Sequence, residues 1–239
     1  MIVSLSQVAE INPKINLSKH INFDEMVDFL PMADVSENGD VSVTTQRPLS
    51  EVQKGFTAFC KGDILVAKIT PCFENNKIAV ANIATEIGYG STEFHIVRCD
   101  RERLDSRYVL HLLRSKDVRA EGKKRMTGSA GQQRVPKKFL EDLQIPLPPL
   151  AEQKRIAAIL DQADALRRKR QRALDRLGQL GQATFIEMFG DPATNPMGWL
   201  RVSLMDCCAQ LDDIRCGPFG TQLLREEFRE TGVPLWGIK

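Results

Sequence analysis

The chain has 239 residues, 42% of them hydrophobic and 27% charged, with a formal net charge of +2. These values are typical of a globular protein of one or two domains and exclude a disordered or fibrous chain. No apolar run reaches the roughly 18–20 residues of a membrane helix, and MIVSLSQVAEI at the start lacks the features of an export signal, so we expect a cytoplasmic protein with no membrane contact.

The first predicted elements are three short strands. GDILVAKI (62–69) and NKIAVANI (76–83) are rich in apolar and β-branched residues between turn residues, and TEFHIVRC (92–99) alternates loosely. The loop TPCFENN joins the first two strands and carries several hydrogen-bonding side chains. The pattern predicts a compact α/β module over the first part of the chain.

Helices and a second polar loop follow these strands. Residues 105–122 predict one helix capped by Asp105 or Ser106. The glycines and small polar residues of KKRMTGSAGQQRV (123–135) predict a loop, and PKKFLEDL (136–143) predicts a short helix with Pro136 in its first turn.

A long helix is predicted after QIPLPPL, whose prolines impose an extended path until Leu150. About 40 residues of helix would extend roughly 60 Å, and GDP (190–192) would end it. Apolar residues repeat at spacings of three and four, which is the pattern of a coiled-coil seam that needs a partner helix. The predicted subunit-contact residues of this seam are Ile159, Ala163, Leu166, Ala173, Leu177 and Leu180.

We expect the helix to leave the module, because the prolines and its length both carry it away; the alternative is that it folds back on the module. The chain holds no second complete helix of this kind. The partner helix would therefore come from a second copy in an antiparallel homodimer, or from another subunit.

Short matches suggest that a second copy of the module begins near Trp199. VSLSQVAEI starts at Val3 and VSLMDCCAQ at Val202, while FLPMAD (29–34) is followed at a similar offset by PLWGIK (234–239). Matches in the same order at nearly the same offset indicate an internal repeat.

No catalytic or metal-binding pattern emerges from the sequence. The three histidines lie on different predicted elements, and His95 on its strand is expected to be a packing residue. The cysteines lack the CxxC spacing that zinc prefers, even where Cys207, Cys208 and Cys216 cluster, so reduced thiols are expected.

The charge distribution and the loops favour nucleic-acid recognition. Residues 114–138 carry nine bases against two acids, whereas residues 21–53 carry seven acids against Arg47. Asn and Gln amides can make paired bonds to adenine, and Lys and Arg favour guanine or phosphate. The candidate DNA-binding residues are Lys68, Thr70, Asn75, Asn76, Lys77, Ser91, Thr92, Lys123, Lys124, Arg125, Ser129, Gln132, Gln133 and Arg134.

The segment GQQRVPKKFLEDLQIPLPPLAEQKRIAAILDQAD resembles the junction in specificity subunits of Type I restriction–modification systems. GSTEFHIV, ITPCFENNKIAV and GPFGTQLL are also similar to that family. The resemblance implies target recognition domains alternating with long helices that pair antiparallel and hold two domains a fixed distance apart. It further implies binding to double-stranded DNA, adenine methyltransferase subunits that carry S-adenosylmethionine, and a restriction subunit joined through the complex.

We therefore expect an α+β chain with a target recognition domain (1–145), a proline tether and helical spacer (146–190), and the start of a second recognition domain (191–239). The expected function is non-catalytic, cofactor-free reading of one half of a bipartite DNA target. The alternative is a protein-interaction scaffold whose helix is the active surface.

Overall fold

The computed structural model describes residues 1–15, 24–42, 45–129 and 131–209, and within these ranges the α+β class is confirmed. The described strands are β1 (Ile2–Ser4), β2 (Ala9–Ile11), β3 (Met26–Leu30), β4 (Thr45–Pro48), β5 (Thr57–Cys60), β6 (Ile64–Ala67), β7 (Ile78–Val80), β8 (Ile87–Gly90), β9 (Phe94–Cys99) and β10 (Gln144–Pro146). The described α-helices are α1 (Leu49–Val52), α2 (Ser106–Leu113), α3 (Lys116–Lys124), α4 (Lys137–Glu141) and α5 (Leu150–Phe189).

These strands form three sheets. The central sheet has the order β2-β9-β6-β7 and is antiparallel throughout. A second sheet, β4-β3-β8-β5, is antiparallel except for the parallel pair β3–β8. The first and last strands of the module, β1 and β10, pair with each other.

Apolar side chains cover both faces of the central sheet. On β6, Ile64 and Val66 join a cluster with α2 and α4, while Leu65 joins a cluster with Phe59 of the second sheet. Strands buried on both faces are continuous apolar runs in the sequence, which is why the runs at 62–69 and 76–83 are recognisable as strands. All three predicted strands are confirmed as β6, β7 and β9.

The predicted helix over 105–122 is in fact two helices. Asp105 caps α2 as predicted, by accepting from the backbone N–H groups of Arg107 and Tyr108. The break comes at Ser115, whose side chain accepts from the N–H of Val118 and caps α3. Two predicted details are also wrong: Lys123 and Lys124 end α3 rather than begin the loop, and Pro136 is the N-cap of α4 rather than part of its first turn.

The proline segment is more than a tether. Gln144–Pro146 forms β10, in which Ile145 lies opposite Val3 and both side chains are buried. Pro146 takes a strand-end position, where a missing N–H is tolerated. The long helix begins at Leu150 and ends at Phe189, followed by Gly190 at φ +79°, so both predicted ends are confirmed.

The chain divides into two compact units, Met1–Gln171 and Arg172–Lys239. In the second unit, Ser203 and Asp206 form a capping box around the 3-10 helix Leu204–Cys207. The matching residues of the first unit also form a 3-10 helix, Leu5–Gln7, after Ser4. The other half of the suggested repeat, PLWGIK (234–239), and Cys216 lie outside the described residues.

Candidate nucleic-acid interface

Two of the predicted DNA-binding segments meet at one end of the central sheet. Because β6 and β9 are antiparallel and Ala67 pairs with Phe94, the residues after β6 lie beside those before β9. The backbone N–H of Lys68 donates to the carbonyl oxygen of Glu93 at 2.9 Å. We call this end of the sheet the loop end.

The third predicted segment, after α3, is fastened to the same place. The backbone N–H of Thr70 donates to Gln133 O at 2.9 Å, and that of Val135 donates to Lys68 O at 2.8 Å. The Arg134 guanidinium donates to Glu93 at 2.8 Å, and these bonds lower the pKa of the Glu93 carboxyl below its ordinary value. Three segments that are distant in the sequence thus form one surface.

Exposed side chains with base-reading chemistry remain on this surface. Asn75, Gln132 and Gln133 are exposed and can present amides to a base edge. Thr92 and Ser129 are exposed hydroxyl donors, and Ser91 accepts from the N–H of Glu93.

Other predicted DNA-binding residues have internal partners. Asn76 adopts φ +62° and its Nδ2 donates to Glu37 O at 3.2 Å, while the Lys77 ammonium donates to Met32 O at 3.1 Å. The Thr70 hydroxyl donates to Gln133 O at 3.2 Å. These bonds shape the loop, so the candidate base contacts are better placed on Asn75 than on its neighbour.

The basic residues at the end of α3 stand beside acids but remain accessible. Lys123 lies 3.7 Å from Glu74, and Arg125 lies 3.0 Å from Glu121. The side chains of Lys123 and Lys124 are 66% and 76% exposed. Ion pairs this exposed are weak, so a phosphate group can compete for the bases.

A cavity of about 440 Å³ opens next to these loops, between the central and second sheets. Its lining includes the predicted Lys68 and Thr92, and also Lys14 and Asn12, which the sequence did not point to. A single lysine outside any predicted element carries no distinguishing pattern. Its proximity to the loops becomes visible only in three dimensions.

His95 supports the loop end from inside, as expected of a packing residue. It is 5% exposed, its Nε2 donates to Val135 O at 2.8 Å, and its Nδ1 accepts from the Asn12 amide at 3.1 Å. Burial lowers its pKa and favours the neutral ring.

The first half of α5 packs on the module, so the expectation that the helix leaves it is wrong there. Gln153 and Ala157 are buried. Asp161 accepts from Arg107 at 2.6 Å and from His111 at 2.8 Å. Further along, Arg168 contacts Asp40 and donates to Asn38 O at 3.2 Å.

The predicted seam lies on the opposite side of this helix. Ile159 and Asp161 are about 160° apart around the axis at 3.6 residues per turn. Ile159 and Leu166, both in the first unit, are 52% and 67% exposed, and Leu177 and Leu180 are 64% and 58% exposed. Ala163 and Ala173 are exposed as well. The seam is available for a partner.

In the part of the chain that the structure describes, no His, Cys, Asp or Glu residues form a group of three or more suited to a metal, and no helix is long and apolar enough to cross a membrane. The described cysteines, Cys60, Cys72, Cys99, Cys207 and Cys208, are free thiols.

The described fold is an α+β domain whose polar loops meet at one end of a sheet and which is joined to a long helix, and comparison with known proteins gives its family. The chain belongs to the Type I restriction modification DNA specificity domain family, whose model matches residues 1–176. It is 37% identical over 213 residues to the Type I restriction enzyme EcoAI specificity subunit of Escherichia coli, and 34% identical over 211 residues to the EcoEI specificity subunit of the same organism.

Each of these matches takes in 84% of this chain and 35% of the relative, so the chain spans about a third of the length of the curated relatives. Among solved structures, the HsdS subunit from Thermoanaerobacter tengcongensis has a similar fold, with a TM-score of 0.55 and 21% identity. That likeness covers 80% of this chain and 50% of the other.

Proposed function

We propose that residues 1–145 read one half of a bipartite DNA target, and that α5 spaces this domain from a second one and docks methyltransferase subunits. The observation that carries the proposal is the convergence of three polar loops at the loop end, where Asn75, Gln132 and Gln133 keep exposed amides. Membership of a DNA specificity family favours this reading over a scaffold whose only active surface is the helix.

In this proposal the chain contributes recognition and no chemistry. The methyltransferase subunits carry S-adenosylmethionine and methylate adenine, and the restriction subunit joins through the complex and cleaves DNA. The partner for the seam of α5 is a second copy of this chain in an antiparallel homodimer, unless a methyltransferase subunit covers the seam first. The exposure of Leu166 and Leu177 supports an intermolecular contact.

The phosphate-binding part of the proposal is tested by titrating DNA at several salt concentrations. Changing Lys123, Lys124 and Arg125 together to Ala should weaken binding to all duplexes alike. If each base neutralises one phosphate, the slope of log K against log salt falls by up to about 2.7, at about 0.9 for each lost contact.

The matched control removes three exposed bases at the opposite end of the central sheet. Lys61 and Arg101 flank the start of β6 and the end of β9, and Lys154 lines the same cavity as Arg101. Changing these three residues to Ala should leave the slope within error of the unchanged protein. Equal slopes in both triple variants and the unchanged protein would refute the assignment of the basic zone.

Base reading is tested with Asn75→Ala and Asn76→Ala on the cognate duplex. The sequence of this duplex is determined from the methylation pattern of the host genome. Asn75→Ala should cost about 1–3 kcal/mol on the cognate site and leave non-specific binding nearly intact, whereas Asn76→Ala should cost less there, because its amide is held by Glu37 O. Because Asn76 also bonds to Glu37 O, its variant should lose folding stability as well. Full discrimination in both variants would show that this loop is structural.

A further inference from the structure

Polar contacts join the first half of α5 to the module at three points along the helix. At the start, Gln153 is fully buried and its side chain bonds three backbone groups at 2.9 Å. In the middle, the Asp161 carboxylate accepts hydrogen bonds from Arg107 and His111 of α2. At the far point, Arg168 contacts Asp40, and Arg167 donates to Asn38 Oδ1 at 3.3 Å.

The far point is connected to the surface that reads DNA. The loop that holds Asp40 is closed on itself, because the backbone N–H of Asp40 donates to the Ser36 hydroxyl at 3.0 Å. The carbonyl oxygen of Glu37, in the same loop, accepts from Asn76 at 3.2 Å and from Arg114 at 3.3 Å. One short loop therefore links the helix to the turn that carries Asn75.

We propose that Gln153, Asp161 and Arg168 form a clasp that fixes the angle of the recognition domain on the helix, and that this clasp determines which spacing between half-sites the protein accepts. The inference rests on the bipartite reading proposed above. It assigns to the polar face of the helix a role separate from the length of the helix and from its apolar seam.

The span of the clasp is what gives it angular control. Gln153 and Arg168 are about 22 Å apart along the axis at 1.5 Å per residue, so about 1 Å of slack at either end permits a tilt of only about 3°. With the far point removed, the remaining span from Gln153 to Asp161 is about 12 Å, and the permitted tilt rises to about 5°. Hydrogen bonds also fix direction, which an apolar contact does not.

A change in the spacing of the half-sites on DNA moves them relative to each other by a defined distance and angle. One additional base pair between two half-sites displaces the second by about 3.4 Å and turns it by about 34° around the duplex axis. At about 3° of permitted tilt the domain follows little of that displacement, and at about 5° it follows somewhat more, so loosening the far point relaxes the spacing only in part. A tight clasp therefore rejects the wrong spacing.

The contact between Arg168 and Asp40 affects the angle of the domain on the helix more than the folding stability of the module. The Asp40 side chain is 53% exposed and that of Arg168 is 32% exposed. Ion pairs with this exposure contribute about 0–1 kcal/mol to folding. Removing the pair should consequently leave the module folded and change only its orientation.

The test uses Asp40→Asn with Arg167→Gln and Arg168→Gln in the full chain, expressed with its partner subunits in a host lacking other adenine methylation. Single-molecule sequencing then maps the methylated motif, with the genome itself as the probe. We expect the half-site sequences to stay unchanged. Methylation at spacings one base pair longer or shorter, relative to methylation at the original spacing, should rise by up to about fivefold, the factor that corresponds to about 0–1 kcal/mol for the pair.

The matched control is Glu152→Gln with Arg155→Gln, which breaks an exposed pair at 2.7 Å on the same helix. Its map should equal that of the unchanged chain, and thermal unfolding should be the same for all three proteins. Strict spacing in the Asp40, Arg167 and Arg168 variant, with a normal two-part motif in the unchanged chain, overturns the clasp alone. A motif of one part in the unchanged chain overturns the bipartite reading and the clasp with it.

Discussion

Replacing Gln153 with Leu should destabilise the module by removing only polar contacts. The Gln153 side chain is fully buried, its Oε1 accepts from the N–H of Asp105, and its Nε2 donates to Arg103 O and Pro148 O, each at 2.9 Å. Leu occupies a similar volume, so the packing is largely kept. Leaving a buried polar group without a partner costs about 1–3 kcal/mol, and partial rehydration of the two carbonyls brings the expected total to about 4 kcal/mol.

Equilibrium unfolding in urea measures this loss. With a slope of about 2 kcal/mol/M, the midpoint should fall by about 2 M. Gln162→Leu, at an exposed position of the same helix, should change stability by no more than about 0.5 kcal/mol. If Gln153→Leu loses less than about 1 kcal/mol, the three hydrogen bonds do not hold the start of the helix, and the inner point of the clasp fails.

Three further results are expected. Light scattering at a protein concentration on the order of tens of micromolar should show a dimer, and Leu166→Asp with Leu177→Asp should convert it into a monomer. A monomer that is insensitive to the change would refute pairing through the seam. Burial raises the pKa of the Asp161 carboxyl, but hydrogen bonds from its basic partners outweigh burial and lower the pKa overall. Asp161→Asn should therefore lose stability at neutral pH, and the difference from the unchanged protein should disappear as the pH falls below about 4 and through the lowered pKa. A difference that does not depend on pH would show that the charge of Asp161 does not contribute to stability. Burial raises the pKa of the Cys99 thiol to about 12, so alkylation followed by mass spectrometry should label exposed Cys207 well before Cys99, and equal rates would contradict that burial.

The strands of the central sheet were predictable because their apolar runs leave little alternative. Ile64 and Val66 face the helices while Leu65 and Ala67 face the second sheet, so every position of β6 is apolar. The strands of the second sheet lack this signal. β4, for example, is TQRP and is mostly exposed.

The break between α2 and α3 shows how a local bond overrides a continuous pattern. Residues 105–122 have the apolar spacing of one helix, but the Ser115 side chain accepts a hydrogen bond from the N–H of Val118. This bond replaces the backbone bond that a continuous helix would make there. Arg114, at the break, donates to Ile78 O at 3.2 Å, a residue of another element. The sequence shows a serine, and only the fold shows that it starts a helix.

The two faces of α5 differed in how well they could be predicted. An apolar seam is visible because its residues are alike and evenly spaced, as Ile159, Leu166 and Leu177 are. The polar face depends on pairs such as Arg107 with Asp161 and Arg168 with Asp40, whose members are far apart in the sequence and chemically common. Which acid meets which base is fixed by the tertiary structure.

For the candidate site, the sequence singled out the polar loops but did not show which of their side chains have partners inside the fold. Lys77 and Arg134 have the residue types of DNA contacts, yet one donates to Met32 O and the other is bound to Glu93. The role of each remains a prediction. The internal partners of these two residues are distant from them in the sequence, so the sequence alone does not reveal the contacts.

The pairing of β1 with β10 has a consequence for how such a domain can change. Ile2 lies opposite Pro146 and Ser4 opposite Gln144, so the backbone enters and leaves residues 1–146 at adjacent points. A segment whose two ends are neighbours can be exchanged as one piece, since a replacement needs only the same pair of strands to join the same helix. Exchange of that one segment replaces the candidate DNA-binding loops and keeps the geometry of the helix, without a series of point changes that must each preserve the fold.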